Sequence, residues 1–185
     1  MKKSINTRKL VAMGLMAGLS VALVFLIHFP IFPQAPFLEY DPADIPILIA
    51  SFAYGPFAGL IVTAIASVVQ GLTVSSASGL YGILMHLIST GTYVLVAGLI
   101  YRAKNSRPGI VIALVCGVLA SAAVMAAANL VVTPYFMGVP VDAVKGMLLP
   151  VIIPFNLIKS GINAAMMMMI YLPLRPALEK FLKGK

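Results

Sequence analysis

Five long apolar runs, at roughly residues 10–29, 44–73, 79–101, 108–132 and 148–174, decide what this chain can fold into. An α-helix of about 20 apolar residues crosses the roughly 30 Å hydrocarbon core of a bilayer, and each run is of that order. Little is left with which to build a surface for water. Charged residues are 10% of the 185, hydrophobic residues are 61%, and the mean hydropathy is +1.05. Helices that are apolar on nearly every side must be buried or solvated by lipid. The runs are rich in Ala, Leu, Met and Gly and lack the polar–apolar alternation of outer-membrane barrel strands. The sequence therefore reads as an all-α integral membrane protein. The first run follows MKKSINTRK, the place of a signal peptide, but LVAMGLMAGLSVALVFLIHF has the length of a full span and ends on no small-residue cleavage site. It reads as the first transmembrane helix.

The second run needs division. As one helix its 30 or so residues would be about 45 Å long, well beyond the bilayer core. Its middle, FAYGPFAG, carries Gly55-Pro56, a strong helix breaker. Basic residues cluster at Lys2, Lys3, Arg8 and Lys9, at Arg102, Lys104 and Arg107, and at Arg175, Lys180, Lys183 and Lys185. The positive-inside rule places all three clusters in the cytoplasm, so an even number of spans must separate the first two. Splitting at Gly55-Pro56 satisfies that parity. The expectation is six transmembrane helices with both termini cytoplasmic, the second short (about 44–54) and the third barely long enough (about 56–73). No internal repeat, low-complexity tract or linker divides the chain, which reads as one domain over residues 1–185. The same clusters account for the net charge of +8 as topology, and nucleic acid is not an expected partner. The single cysteine, Cys116, cannot form an intrachain disulfide and reads as a buried thiol.

This topology leaves roughly 30–43, 74–78 and 133–147 outside, together with four of the five acidic residues: Glu39, Asp41, Asp44 and Asp142. The first loop, PIFPQAPFLEYDPADIP, is stiffened by proline and rich in aromatics. It either caps the bundle or lids a ligand pocket. Asp41 and Asp44 also fit the roles of helix N-cap and first-turn acids for helix two, and capping is the favoured reading for Asp44, which precedes Ile45-Pro46.

The last helix contains PFNLIKSGIN, in which Asn156, Lys159 and Asn163 share one face by their i, i+3, i+7 spacing. Lys159 falls one to two turns below the outer surface. It could snorkel to the interface, but intramembrane cations more often face the bundle interior or a water-filled cavity, and two asparagines on the same face favour a polar pocket. Asn129 on helix five lies at a similar depth. Helix four brings Tyr81, Met85, His86 and Ser89 onto one face, His86 by itself reading as a hydrogen-bonded core residue. Amide, ammonium and phenol groups at one level, beneath an aromatic loop, suit a neutral, planar, hydrogen-bonding molecule. The two histidines, His28 and His86, have no companions for a metal site. A phosphate-binding glycine loop and paired intramembrane carboxylates are also missing, as is the nucleophile or base cluster that a membrane enzyme needs. The chain reads as a binding unit without an engine, neither an enzyme nor a self-sufficient transporter.

The stretches FLEYDPADIPILIASFAYGPFAGLIV, SGLYGILMHLISTGTYVLVAGLIYR and PFNLIKSGIN carry a resemblance that extends over nearly the whole chain. The chain resembles the substrate-binding S components of energy-coupling factor (ECF) vitamin transporters, most closely the riboflavin-specific group, for which PFN-x-x-K is the more specific motif. The resemblance implies a six-helix bundle in a bacterial plasma membrane that captures riboflavin from outside. It implies no cofactor, the vitamin being cargo, and it implies two kinds of partner, a transmembrane coupling subunit and two ATP-binding cassette ATPases. Carried over by motif, Asn129, Asn156 and Lys159 bond the flavin ring, whose carbonyl and ring-nitrogen acceptors suit amide and ammonium donors. Phe37, Leu38, Tyr40, Tyr81 and Asn163 are further candidates for the pocket. The family meets its coupling subunit through small residues on helix one, where this chain has Gly14, Gly18 and Ala22 at four-residue spacing. Packing within the chain's own bundle is the other use of such a ridge. The alternative ligand is another vitamin or small metabolite.

Overall fold

A computed structural model of the protein describes residues 7–183. Lys2, Lys3 and Lys185 of the basic clusters lie outside the described residues, as do the side chains of Glu179 and Lys183. The helices are α1 (Thr7–Leu26), α2 (Asp44–Tyr54), α3 (Pro56–Leu72), α4 (Gly79–Ala103), α5 (Arg107–Met137), α6 (Val141–Met147) and α7 (Ile153–Lys183). A 3-10 turn (Ser76–Ser78) leads into α4, and a π-helical segment (Leu148–Ile152) joins α6 to α7. Among the described residues, four helical segments are long and apolar enough to cross a membrane, Thr7–Leu26, Ser76–Ala103, Arg107–Met137 and Val141–Leu178, while α2 and α3 are shorter apolar helices. Large apolar side chains such as Leu15, Phe25, Leu80 and Leu149 cover the outside of the bundle, as lipid contact requires.

The break at Gly55-Pro56 is as expected. Gly55 has φ 96°, ψ 162°, and Pro56 is the first residue of α3. A residue with a Cβ is strained at that φ, whereas proline suits the first helical turn because its missing N–H would be unpaired there anyway. The turn folds α3 back along α2. Every residue of α2 from Asp44 to Phe52 is buried, so this short helix runs through the middle of the protein, against α1, α3, α4 and α7. It is tolerable at 11 residues because protein, not lipid, surrounds it.

Helix contacts inside the bundle are close and partly polar. Ser51 Oγ donates to the Val94 carbonyl (3.0 Å), Ser20 Oγ to the Ala43 carbonyl (2.9 Å) and Tyr93 Oη to the Ser160 carbonyl (3.3 Å). At one end of the bundle Phe52 stacks on Tyr101, with ring centroids 4.3 Å apart, and Tyr171 meets both rings edge-on. The basic residues gather at this same end. Lys9 Nζ reaches the Tyr54 carbonyl at 3.4 Å, and Arg175 donates to the Asn105 side chain at 2.7 Å.

Three boundaries differ from the sequence reading. Helix α5 continues past Thr133-Pro134 to Met137 and stops only where Gly138 turns left-handed, at φ 66°. One proline near a helix end costs one hydrogen bond, which packing of the final turn offsets. The expected external segment 133–147 is therefore mostly helical, containing the end of α5 and all of α6. Helix α7 likewise runs through Pro173 and Pro176. The first loop holds a pair of two-residue antiparallel strands, Phe29–Pro30 and Glu39–Tyr40, with Phe29 opposite Tyr40. This is the one departure from an all-α reading among the described residues.

Gly98 tests the packing around α2, because a Cβ there would run into the Ser51 hydroxyl and Pro56. Gly98→Val should cost about 1–3 kcal/mol of stability, seen as a lowered melting temperature in detergent. Gly161→Ala, with no atom within 4 Å of the new methyl, should leave it unchanged.

Candidate ligand-binding site

At the end of the bundle away from the basic residues, the first loop, α3, α4, α5 and α7 enclose a cavity. Loop residues Phe37, Leu38, Glu39 and Asp41 border it, with Ser67 and Gln70 from α3, and Tyr81, Met85, His86 and Ser89 from α4. Helix α5 contributes Met125, Asn129, Thr133 and Phe136, and α7 contributes Phe155, Asn156 and Lys159.

Lys159 is turned inward. Its Nζ donates to Asp41 Oδ2 at 2.6 Å and lies 3.5 Å from the Glu39 carbonyl, with side-chain exposures of 15% for Lys159 and 6% for Asp41. Snorkelling is therefore not how this cation is accommodated. Its partner is the first-loop aspartate, 118 residues away in the chain. Burial opposes ionisation of Asp41, but the adjacent ammonium, with the Ala43 N–H donating at 3.1 Å, outweighs it and holds the carboxyl below its ordinary 3.8. The charged pair is thus the state at neutral pH.

Asn163, one turn deeper, does not border the cavity. Its Nδ2 donates to the Asp41 carbonyl (3.0 Å) and to Asp44 Oδ2 (2.9 Å), and its Oδ1 accepts from Tyr40 Oη (3.1 Å). Tyr40 is likewise behind the wall, 6% exposed. Both residues hold the loop on α7. Asp44 is not the capping group expected of it. No side chain caps α2, and the Asp44 carboxylate accepts from Thr90 Oγ1 (2.6 Å) and from Asn163. A carboxylate inside a bundle needs donors more than a helix end needs a cap, since its own desolvation is the larger cost.

The two remaining asparagines are positioned by their own helices. Asn129 Nδ2 donates to the Met125 carbonyl (2.8 Å) while its Oδ1 accepts from Thr133 Oγ1 (2.7 Å). Asn156 Nδ2 donates to the Ile152 carbonyl (2.8 Å), within the π-helical segment where Pro150 and Pro154 interrupt the backbone ladder. Each amide has two N–H bonds and has used one. The ammonium has three and has given one to Asp41 at good geometry. Asn129, Asn156 and Lys159 therefore keep at least one donor each for whatever occupies the cavity. The cavity is also bordered by an aromatic cluster in which Phe136 packs on Phe37 (centroids 5.9 Å apart) and on Tyr81 (5.7 Å).

Of the residues singled out from sequence, Phe37, Leu38, Tyr81, Asn129, Asn156 and Lys159 border the cavity, and so does the whole Tyr81, Met85, His86, Ser89 face of α4. Sequence reasoning missed Thr133 and Phe136, because it ended helix five before Pro134, and it missed Ser67 and Gln70 on α3. The signal for these two was available: Thr63, Ser67 and Gln70 recur at helical spacing in an otherwise apolar helix. On α1, Gly14, Gly18 and Ala22 are exposed, with no atom near either glycine, while Met13, Ala17, Ser20 and Val24 make the contacts to the bundle. Among the described residues, nothing packs on this small ridge.

A model of the family described as "ECF transporter, substrate-specific component" matches residues 8–171. The chain belongs to this family. Among curated relatives, the riboflavin transporter FmnP of Bacillus subtilis is 29% identical over 184 residues, covering 95% of this chain and 96% of the relative. The riboflavin transporter RibU of Staphylococcus aureus is 26% identical, with 90% and 89% covered. The solved S component of a bacterial ECF transporter superposes with a TM-score of 0.82 at 27% identity, covering 94% of this chain and 99% of that one. The chain thus has the S-component fold, and its family is one of transporter components rather than enzymes.

The Asp41–Lys159 pair makes a measurable demand on this S component. Removing one member leaves the other buried and unpaired, a loss of ~3 kcal/mol or more. Asp41→Ala and Lys159→Met should each lower the melting temperature in detergent, and the double variant should lose much less than the sum. Because folding depresses the Asp41 pKa, the pair's stabilisation is complete above 3.8 and is lost as pH falls through the folded-state value. Between neutrality and mildly acidic pH its contribution should not change.

Proposed function

We propose that this S component captures riboflavin in the cavity between the first loop and helices α3, α4, α5 and α7, and delivers it through a separate energy-coupling module. The observation that carries the reading is the convergence on one cavity of the amides of Asn129 and Asn156 and the ammonium of Lys159 with an aromatic cluster of Phe37, Tyr81 and Phe136. An isoalloxazine ring matches both. Its edge carries carbonyl and ring-nitrogen acceptors that take N–H donors, and its flat apolar body fills a slot lined by aromatic and aliphatic groups. The curated relatives named as riboflavin transporters support the same ligand. Leu38 closes the slot from the loop side, with Tyr40 and Asn163 supporting the loop from behind.

The proposed topology has six spans, α2 and α3 counting as two, with both termini cytoplasmic in a bacterial plasma membrane and the cavity opening outward. The basic residues Lys9, Arg102, Lys104, Arg107 and Arg175 support it, since they belong to the α1 start, the α4–α5 turn and the far part of α7, all at the end opposite the cavity. Partners are a transmembrane coupling subunit and two ATPases, and the exposed Gly14, Gly18, Ala22 ridge is the proposed contact with the coupling subunit.

Purified protein should quench riboflavin fluorescence on titration, and a panel of other water-soluble vitamins should not displace the flavin. Lys159→Ala should weaken binding at least about tenfold, roughly 1.4 kcal/mol. Unchanged affinity would confine Lys159 to holding Asp41. Gly18→Leu should leave riboflavin binding intact and abolish uptake in cells that supply the coupling module. Loss of both together would count against a coupling role for the ridge.

A further inference from the structure

The helical path from Val141 to Lys183 is unbroken, yet it is not a single α-helix. In the segment Leu148–Ile152 the Ile153 N–H bonds the Leu148 carbonyl, five residues back, where an α-helix bonds four back. Such a turn takes up one residue more than an α turn, and π turns inside α-helices are frequent at functional sites. This one stands directly before Asn156, whose side chain bonds the carbonyl of its last residue, Ile152.

The extra residue changes which face α7 turns inward. Val144 is the buried residue of α6, in one apolar cluster with Ala35 and Leu38 of the first loop and with Ile152 and Phe155. That contact fixes the rotation of α6 against the loop. In an uninterrupted α-helix, at about 100° per residue, Asn156, Lys159 and Asn163 would point roughly 60–120° away from Val144. Counting one residue fewer brings all three within about 40° of it. The structure has the second arrangement. Val144, Asn156 and Asn163 are all buried, and Lys159 reaches Asp41 of the same loop. A plain α-helix would set the Val144 and Lys159 contacts about 100° out of register.

Two prolines favour the wider turn. Pro150 and Pro154 have no N–H, so an α-helical ladder would lose two bonds one above the other, to the carbonyls of Gly146 and Pro150. Each ring would also crowd the carbonyl four residues back. Pro134, Pro173 and Pro176 stand inside α-helices without opening them, and what distinguishes the π segment is the pair at four-residue spacing. On the reading of the cavity as a riboflavin site, we propose that Pro150 and Pro154 are positioning residues for the ligand. They hold a π turn that absorbs one residue, and so set the face of Asn156 and Lys159 in phase with α6 and the first loop.

Three proteins decide it: wild type, the double variant Pro150→Ala/Pro154→Ala, and that double variant with Leu149 deleted. The alanines restore both N–H groups and favour a plain α-helix, which is one residue out of phase. Riboflavin affinity should fall at least about tenfold, the equivalent of about two hydrogen bonds. The melting temperature without ligand should fall with it, because the Asp41–Lys159 contact is strained. Deleting Leu149, whose side chain is exposed, puts the plain helix back in phase. Affinity should then return to within about threefold of wild type, and the melting temperature should rise again. Loss of two merely structural prolines would not give this rescue, since a further missing residue would only add damage. The rescue is readable even where the double variant fails to fold, because the shortened chain should fold and bind. Wild-type affinity in the double variant overturns the positioning role, and so does a deletion that fails to restore binding. Failure of wild type to bind riboflavin overturns the riboflavin reading instead, and the ligand-free melting temperatures then decide the register by themselves.

Discussion

The ion pair between Lys159 and Asp41 joins the two parts of the chain that make the cavity. Neither ion could stay buried alone, since taking an unpaired charge out of water costs several kcal/mol. The loop must therefore sit where the aspartate reaches the lysine, and α7 must present the lysine where the loop can meet it. Asn163 and Tyr40 repeat the connection one turn deeper, and Asn163 extends it to Asp44 on α2. With its backbone held at Asp41 and Glu39, the loop places Phe37 and Leu38 over the cavity as a wall. The same pair orients the ammonium at the edge of the cavity and leaves it donors to spare.

The bundle separates these tasks by end. At one end, aromatic stacking of Phe52, Tyr101 and Tyr171 closes the core, surrounded by basic residues. At the other, helix termini and the loop leave a polar cavity. Between them α2, buried on all sides, supplies apolar packing and carries Asp44 up to the polar network. Serine-to-carbonyl bonds and small residues let neighbouring helices approach closely where lipid provides no hydrophobic drive. On the outside, α1 turns Met13, Ala17, Ser20 and Val24 to the bundle and leaves Gly14, Gly18 and Ala22 exposed.

Period and composition by themselves determined much of this architecture. Uniform apolarity required helices in lipid, Gly55-Pro56 required a break in the second run, and the spacing of Asn156, Lys159 and Asn163 put them on one face of their helix. These are local properties, set by helix geometry and by what one residue's backbone can do. Local signals failed where a distant contact outweighed them. Pro134 marked an end that tertiary packing carried through to Met137, bringing Thr133 and Phe136 into the cavity. Asp44 had the position of a cap and became an acceptor for Thr90 and Asn163.

Which polar groups pair with one another was decided only by the tertiary structure. Asn163 and Asn156 are equivalent in sequence, yet one braces the loop and the other borders the cavity, because only one meets Asp41 and Asp44. The partner of Lys159 is likewise a fact about segments far apart in the chain. Helical periodicity assigns a side chain to a face of its own helix, but a hydrogen bond forms or fails on a few tenths of an ångström between different helices, and that distance is a property of the packed bundle alone.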